Sequence, residues 1–118
     1  METIGLILVV APDRDFRRSL EFALEAEMYE VDSHAGLASA LASPRIRWLD
    51  CAIIDEKALR DRTSEWDAIQ RLGAPVIFLM DKLPAPTGFP QLSTMNKPLL
   101  GNALIQRVAR VAGRPATR

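Results

Sequence analysis

The sequence is poor in the residues that disulfide, metal and histidine-based catalytic sites need. Its 118 residues include one cysteine, Cys51, and one histidine, His34. A single cysteine excludes a disulfide framework, and a single histidine leaves His-based metal sites and Ser-His-Asp triads without a second ligand or a credible neighbour. We expect Cys51 to be a small buried side chain, with a reactive thiol as the alternative. His34 is expected in a loop after a strand.

Long hydrophobic runs are also missing. The longest apolar stretches, residues 4–11 and 75–80, are far too short to cross a bilayer, and the N-terminus lacks the basic stretch of a secretory signal. The six glycines are scattered without the spacing of a phosphate-binding loop. We therefore expect a cytoplasmic protein with no membrane contact and no nucleotide site.

The chain has no net charge, but its charges are unevenly distributed. The 15 basic and 15 acidic side chains cancel, which removes the basic excess that nucleic-acid binding requires. All the acids lie at or before Asp81, whereas residues 82–118 carry two lysines and four arginines. We interpret this asymmetry as a solvated helix face followed by a basic tail. A surface for an acidic partner, or the start of a linker, is the alternative.

What the chain does contain is a regular alternation of apolar strands and amphipathic helices. The predicted strands are residues 4–10, 29–33, 51–55, 75–80 and 92–96. The predicted helices run from a cap at Asp13 to Met28, over residues 37–42, from Ser64 to a left-handed cap at Gly73, and from Leu100 to Gly113.

Individual side chains within this pattern have predictable positions. In the first helix Arg17 and Glu21 should pair one turn apart on the outer face. In the last helix the apolar stripe should comprise Leu100, Ala103, Leu104, Val108 and Val111. Trp48 and Trp66 are expected to pack rather than to serve as ligand platforms.

Strands that alternate with helices predict an α/β fold: a flavodoxin-like, doubly wound parallel sheet of five strands in the order 2-1-3-4-5. Residues 81–91 contain three prolines and a glycine, so the fourth helix should be shortened or replaced by a loop. One domain over residues 1–113 and a tail or linker over 114–118 are expected. Reactive groups in such a sheet collect at the carboxyl ends of the strands.

The residues at these strand ends resemble those of response-regulator receiver domains, the CheY-like signalling units of two-component systems. The likeness covers residues 4–112 and is carried, in order, by Ile7–Val10 with Asp15–Leu20, by Ala52–Asp55, by Pro75–Leu79 and by Lys97-Pro98. In this family the aspartate that matches Asp55 accepts a phosphoryl group. A Mg²⁺ ion, held by two acids after the first strand, assists that transfer.

The sequence departs from the family at the positions that carry this chemistry. Ala11 and Pro12 stand where the two acids are expected, so Mg²⁺ binding is doubtful and no cofactor is predicted. Asp13 follows them, and either caps the first helix or swings into the pocket. Met80 replaces the Ser or Thr that binds the phosphoryl oxygen, and Thr94 replaces the aromatic that follows its motion.

Two lysines complete the predicted pocket. The resemblance implies that Lys97 points at Asp55, and without metal these two would form a direct ion pair. Alternatively, Lys97 is an ordinary surface lysine and Asp55 a residue of a turn. Lys57 either supplies a second positive charge at the pocket mouth or is solvated.

In receivers the surface around the fourth helix commonly transmits the signal. In this chain we expect a loop beside a basic helix to form that surface. Leu83, Phe89 and Pro90 would make it apolar, next to Arg107 and Arg110 of the last helix. A loop packed back on the sheet is the alternative.

These features predict a non-enzymatic, degenerate receiver that contacts a signalling protein, either a histidine kinase or a downstream regulator, or a second copy of itself. The alternative is a working response regulator that is phosphorylated on Asp55. A catalyst of another flavodoxin-like family is disfavoured, because no acid, base and nucleophile converge on one strand end.

Overall fold

The computed structural model describes residues 3–60, 62–80, 92–96 and 101–111. Its five strands form one parallel sheet in the order β2-β1-β3-β4-β5, which confirms the predicted topology. The strands are β1 Gly5–Val10, β2 Tyr29–His34, β3 Cys51–Asp55, β4 Val76–Met80 and β5 Leu92–Asn96. Nearly every residue of β1, β3 and β4 is buried, as is required of parallel strands covered by helices on both faces.

In the described residues, three helices lie between successive strands and a fourth follows β5. They are α1 Arg14–Ala26, α2 Leu37–Leu41, α3 Arg62–Gln70 and α4 Gly101–Val111, with short 3₁₀ turns at Ile46–Trp48 and Glu56–Ala58. α1 ends two residues before the expected Met28, because Met28 itself adopts a left-handed backbone with φ of 74°. Gly73 has φ of 73°, which confirms the predicted left-handed turn after α3.

Two hydrophobic cores lie on opposite faces of the sheet. Side chains of α1 and α4, including Leu24 and Val108, pack on the face that carries Ile53. Side chains of α2 and α3 pack on the other face, where the ring of Trp66 lies 4.9 Å from that of Phe78 between centroids. The Trp66 prediction is therefore confirmed.

Three local predictions were wrong. α3 begins at Arg62 rather than Ser64, and Glu65 lies within its first turn, where its carboxylate accepts a hydrogen bond of 2.7 Å from the backbone N–H of Arg60. His34 is the last residue of β2 rather than part of a loop. Ala103 is exposed, and Ile105 packs beside Leu104 and Val108 in its place.

Asp50 fixes the start of β3 against β1. Its side-chain Oδ2 accepts a hydrogen bond of 2.9 Å from Leu6 N, while its own N–H donates to the Leu6 carbonyl, also at 2.9 Å. A Cβ at Gly5 would lie only 3.0 Å from that Oδ2 atom, so a larger residue at this position would have to displace the Asp50 carboxylate by a few tenths of an ångström.

Several predictions fall outside the described residues: the loop at 81–91, the segment 97–100, and the end of the last helix and the tail at 112–118. In the described part of the chain, no helix is long and apolar enough to cross a membrane.

Candidate functional site at the carboxyl edge of the sheet

Asp55 ends β3 at the carboxyl edge of the sheet and is almost completely buried, with 1% of its surface exposed. Its Oδ1 atom accepts a hydrogen bond of 3.0 Å from the backbone N–H of Lys57. The carboxylate thereby caps the 3₁₀ turn Glu56–Ala58. This turn folds the chain back directly after the strand and holds one carboxylate oxygen in a fixed position.

Ala11 directly follows β1, the strand next to β3, and lies beside Asp55. Val10 of β1 pairs with Ile54 of β3, so the next residues along, Ala11 and Asp55, meet at the edge of the sheet. The Ala11 N–H donates to the carbonyl of His34 at 3.0 Å, which extends the β1–β2 ladder by one residue. Ala11 is fully buried, so a methyl group stands where the family pattern has a carboxylate.

Asp13 caps α1, as predicted. Its Oδ1 accepts a hydrogen bond of 3.1 Å from Phe16 N, and its side chain is exposed. An N-cap aspartate satisfies one of the four free N–H groups at the start of a helix. The structure therefore uses this carboxylate for α1 and does not bring it to Asp55.

Arg17 reaches back from α1 to the loop that follows β1. Its guanidinium donates to the carbonyl of Ala11 at 2.7 Å and lies 3.5 Å from that of Pro12. The same side chain lies 4.0 Å from the carboxylate of Glu21, which accepts a hydrogen bond of 2.5 Å from Ser33. The predicted pair with Glu21 is confirmed, but the sequence pattern did not reveal the contact with the loop.

The residues after β1 do not fit a magnesium ion. Mg²⁺ is bound in proteins through carboxylates and other oxygens in an octahedral arrangement. Here Ala11 offers no side-chain oxygen, Pro12 offers only its carbonyl, and Arg17 places a positive charge against that loop. In the described ranges, no group of three or more His, Cys, Asp or Glu side chains is arranged to hold a metal ion.

Met80, at the end of β4, belongs to the hydrophobic core. It is 2% exposed and packs in the cluster that contains Ile54 and Phe78. Leu79, not Met80, lies opposite Asp55 in the register of the sheet. A thioether offers no strong hydrogen-bond donor, so this position cannot bind a phosphoryl oxygen as a hydroxyl would.

Of the other predicted pocket residues, the structure describes Thr94 and Lys57 but not Lys97. Thr94 lies in β5, opposite Phe78. Lys57 has an exposed side chain, and its backbone N–H donates to Asp55. Lys97 lies outside the described residues, so its ion pair with Asp55 stays a prediction.

A polar cluster that the sequence reasoning missed joins β2 to α2 and the loop after it. His34 Nδ1 lies 2.7 Å from Ser39 Oγ, and His34 Nε2 lies 3.0 Å from Asp32 Oδ1. The other Asp32 oxygen accepts a hydrogen bond of 2.6 Å from Ser43. Asp32 and His34 are two residues apart on one strand and so share a face; that spacing is the signal that could have revealed the cluster.

Of the predicted interaction surface, Arg107 is half-buried and Arg110 exposed on α4. Leu83, Phe89 and Pro90 lie outside the described residues. The prediction that Trp48 packs was wrong, because the 3₁₀ turn Ile46–Trp48 leaves its side chain 65% exposed.

Cys51 is buried at the start of β3, as predicted. Burial raises the pKa of its thiol from 9.0 to about 12, because the thiolate would lose its hydration inside the sheet. A thiol with so high a pKa is inert at neutral pH.

Comparison with known proteins places this geometry in a family. No protein-family model matches the chain. The chain is 38% identical over 102 residues to the transcriptional regulator protein FixT of Rhizobium meliloti, and the alignment covers 84% of this chain and 85% of FixT.

Solved structures share the fold. A sensor protein from Polaromonas sp. JS666 matches with a TM-score of 0.80 at 22% identity, over 93% of this chain and 97% of that one. A CheY-like receiver domain from Methanospirillum hungatei JF-1 matches with a TM-score of 0.77 at 21% identity, over 94% and 95%. With the FixT relative, the sheet order and Asp55 at the end of β3, these matches identify the chain as a member of the response-regulator receiver family of two-component signalling, related to FixT.

Proposed function

We propose that this protein is a degenerate receiver, which acts by binding another signalling protein and does not depend on Mg²⁺-driven phosphorylation. The observation that carries the proposal is the loop beside Asp55, where a buried methyl group and the Arg17 guanidinium stand in place of two acids. Receiver domains interact with signalling proteins, so the fold is consistent with a role by contact.

The chemistry of phosphoryl transfer explains why this loop matters. The donor, the attacking carboxylate and the transferred group all carry negative charge, and a metal ion normally offsets that charge in the transition state. The Arg17 guanidinium cannot replace the ion in this role, because its contacts with the carbonyls of Ala11 and Pro12 hold it against the loop. Asp55 keeps the nucleophilic oxygens, but neither Ala11 nor Pro12 offers a carboxylate to hold an ion against the incoming charge.

The β4 side of the site supports the same proposal. Met80 is buried in the core, so it offers no hydroxyl to bind a phosphoryl oxygen and move on activation. Thr94 in β5 replaces the aromatic residue that would follow such a motion. A switch between two states needs an element whose position differs between them. In receivers that element is the hydroxyl residue together with the aromatic residue, and Met80 and Thr94 replace both.

The proposed partner is a histidine kinase or a downstream regulator, with a second copy of the chain as the other possibility, and we place this contact in the cytoplasm. The protein would then have no catalytic role, and Asp55 would hold the turn after β3 together through Lys57 N and would pair with Lys97.

One experiment tests the proposal directly. The protein is incubated with Mg²⁺ and acetyl phosphate, and separately with beryllofluoride, and its intact mass and backbone amide shifts are recorded. We expect no adduct and no shifts near Asp55 and Lys97. Asp55→Asn serves as the matched control, because any adduct that it also forms lies elsewhere.

A second function is favoured by the retention of Asp55 itself, buried at the strand end where the family's phosphoacceptor lies. In that case the protein would be a response regulator phosphorylated on Asp55. Either Asp13 would leave its cap on α1 to compensate for the missing acids, or the Lys57 ammonium would compensate for them. A mass increase of one phosphoryl group that is absent in Asp55→Asn would establish this second function and refute the first.

A further inference from the structure

A groove of about 420 Å³ lies on the face of the domain that is covered by α2 and α3. Three segments line it: the end of α2, the 3₁₀ turn Ile46–Trp48, and α3 with the turn that follows. The lining residues are Leu41, Ile46, Arg47, Ala68, Arg71 and Leu72. Four of these six side chains are aliphatic, and the two others are arginines.

The two arginines of the groove are available to a partner. Arg47 and Arg71 are exposed, and in the described part of the chain neither side chain forms an ion pair or a hydrogen bond. Arg17 and Arg45, in contrast, are engaged by Glu21 and Glu30. Asp67 of α3 lies one turn before Arg71, which follows the helix, but the two make no ion pair in that same part of the chain, so the rim of the groove keeps a positive charge.

Trp48 adds an exposed aromatic side chain next to Arg47 on the same turn. Its 65% exposure contrasts with Trp66, which is 7% exposed. Tryptophan and arginine are enriched among the residues that dominate binding energy at protein interfaces. Aliphatic side chains between unpaired arginines, beside an exposed indole, have the composition of a docking surface.

We propose that this groove binds the apolar face of an acidic amphipathic helix from a partner protein. Leucine-type side chains at i, i+3, i+4 and i+7 would enter the groove between Leu41 and Leu72. Flanking glutamates would reach Arg47 and Arg71. The inference rests on the proposed function only in that both involve a protein partner; it does not depend on the state of Asp55.

Charge complementarity favours this occupant over a second copy of the chain. In a symmetric dimer the same surface patch supplies both halves of the interface, so an interface built on this groove would collect four exposed arginines, two from each copy. Like charges brought together at an interface oppose association. An acidic helix, in contrast, pairs both guanidiniums and covers the aliphatic floor.

The test uses the full chain and a synthetic helical peptide with leucine at i, i+3, i+4 and i+7 and glutamate at the flanking positions. A second peptide has lysine in place of every glutamate. Binding is measured by amide shift titration and by quenching of tryptophan emission with iodide. We expect saturable binding of the acidic peptide, with shifts at residues 46–48 and 68–72 and protection of Trp48, and roughly tenfold weaker binding of the lysine peptide.

Matched variants locate the site. Arg47→Glu with Arg71→Glu should weaken the acidic peptide by about tenfold or more, whereas Arg14→Glu with Arg18→Glu should leave its affinity unchanged. Both double variants change the net charge equally, and Arg14 and Arg18 are exposed on α1, across the sheet from the groove. Ala68→Met, which fills the floor of the groove, should also weaken binding.

Three outcomes would overturn the inference. They are the absence of saturable binding of the acidic peptide, equal weakening by the two double variants, and shifts at the groove that appear with protein concentration alone. The last would assign the groove to a second copy. None of these outcomes bears on phosphorylation of Asp55, so the groove and the proposed function fail independently.

Discussion

The guanidinium of Arg17 donates a hydrogen bond of 2.7 Å to the carbonyl of Ala11. This contact ties the second turn of α1 to the loop after β1, at the edge of the sheet where Asp55 lies buried. A positive charge held by backbone carbonyls stabilises a loop that has lost the acidic side chains of the family pattern. The Arg17 side chain therefore orders the loop beside Asp55.

Removing this contact should destabilise the protein. For Arg17→Ala we expect the free energy of unfolding to fall by roughly 1–2 kcal/mol, because a hydrogen bond from a charged, half-buried group is lost. Arg18→Ala is the matched control, since Arg18 is exposed on the next position of α1, and it should change stability by less than about 0.5 kcal/mol. Urea denaturation of both variants measures the difference, and equal effects would contradict the role given to Arg17.

Restoring the two acids should restore metal binding. The double variant Ala11→Asp with Pro12→Asp places carboxylates beside Asp55, where their mutual repulsion should lower stability in the absence of metal. Mg²⁺ at about ten times its dissociation constant should then raise the free energy of unfolding by roughly 1.4 kcal/mol. The wild-type protein should show no such response. Pro12→Asp alone, at an exposed position, provides a second measurement if the double variant does not fold.

The polar cluster on β2 should contribute more to stability than the nearby surface ion pair. In Asp32→Ala, Ser43 loses its acceptor while remaining buried, and His34 loses its contact with Oδ1. We therefore expect the free energy of unfolding to fall by about 1–3 kcal/mol, because the buried Ser43 hydroxyl is left without its acceptor. In Glu30→Ala only the exposed pair with Arg45 is lost, which should cost less than about 1 kcal/mol. Thermal unfolding of the two variants measures both losses. A smaller loss of stability in Asp32→Ala than in Glu30→Ala would contradict a structural role for the cluster.

Alkaline pH should destabilise the protein through Cys51. Between pH 9.0 and about 12 the thiol is ionised in the unfolded chain but stays protonated in the folded one, since burial raises its pKa to about 12. The folded state then binds more protons, so the free energy of unfolding falls as the pH rises, by about 1.4 kcal/mol per unit from this group. Cys51→Ala removes this contribution, and the difference between the two pH profiles isolates it. Parallel profiles above pH 9 would show that the thiol titrates normally.

Substitution of Trp66 should lower the stability of the protein far more than substitution of Trp48. Trp66→Ala removes a buried ring in contact with Phe78 and should cost roughly 3–5 kcal/mol. Trp48→Ala should change stability by less than about 0.5 kcal/mol and remove most of the iodide-quenchable emission, because Trp48 is 65% exposed. Denaturation curves and quenching of each variant provide both readouts. A large loss of stability in Trp48→Ala would mean that its side chain is packed after all.

Much of the fold follows from the sequence because its signals are local. The continuous apolar runs of β1 and β3, the Asp13 cap and the left-handed Gly73 each depend on a few consecutive residues, and all four are confirmed. The start of α3 was misplaced because Ser64 and Asp67 have the spacing of a capping pattern, while the helix begins two residues earlier, at Arg62, and Glu65 accepts a hydrogen bond from the N–H of Arg60.

Contacts between distant segments could not be predicted in the same way. His34 was taken for a loop residue because its partner Ser39, and Ser43, which donates to Asp32, reach β2 only when α2 packs against that strand. Trp48 was expected to pack because large aromatic residues usually do. Its side chain is exposed because of the orientation of the 3₁₀ turn Ile46–Trp48, which the sequence pattern does not reveal. The groove beside it joins residues 41–47 to residues 68–72, which are more than 20 residues away in the sequence.

The sequence by itself determined the order of the elements, the place of Asp55 at a strand end, and the absence of acids at Ala11 and Pro12, because each is a matter of residue type and short-range periodicity. Only the tertiary structure decided what replaces those acids and what the surface offers. Arg17 closes the loop after β1 because α1 packs back on the sheet, and Arg47 and Arg71 meet across one groove because α2 and α3 cover the same face.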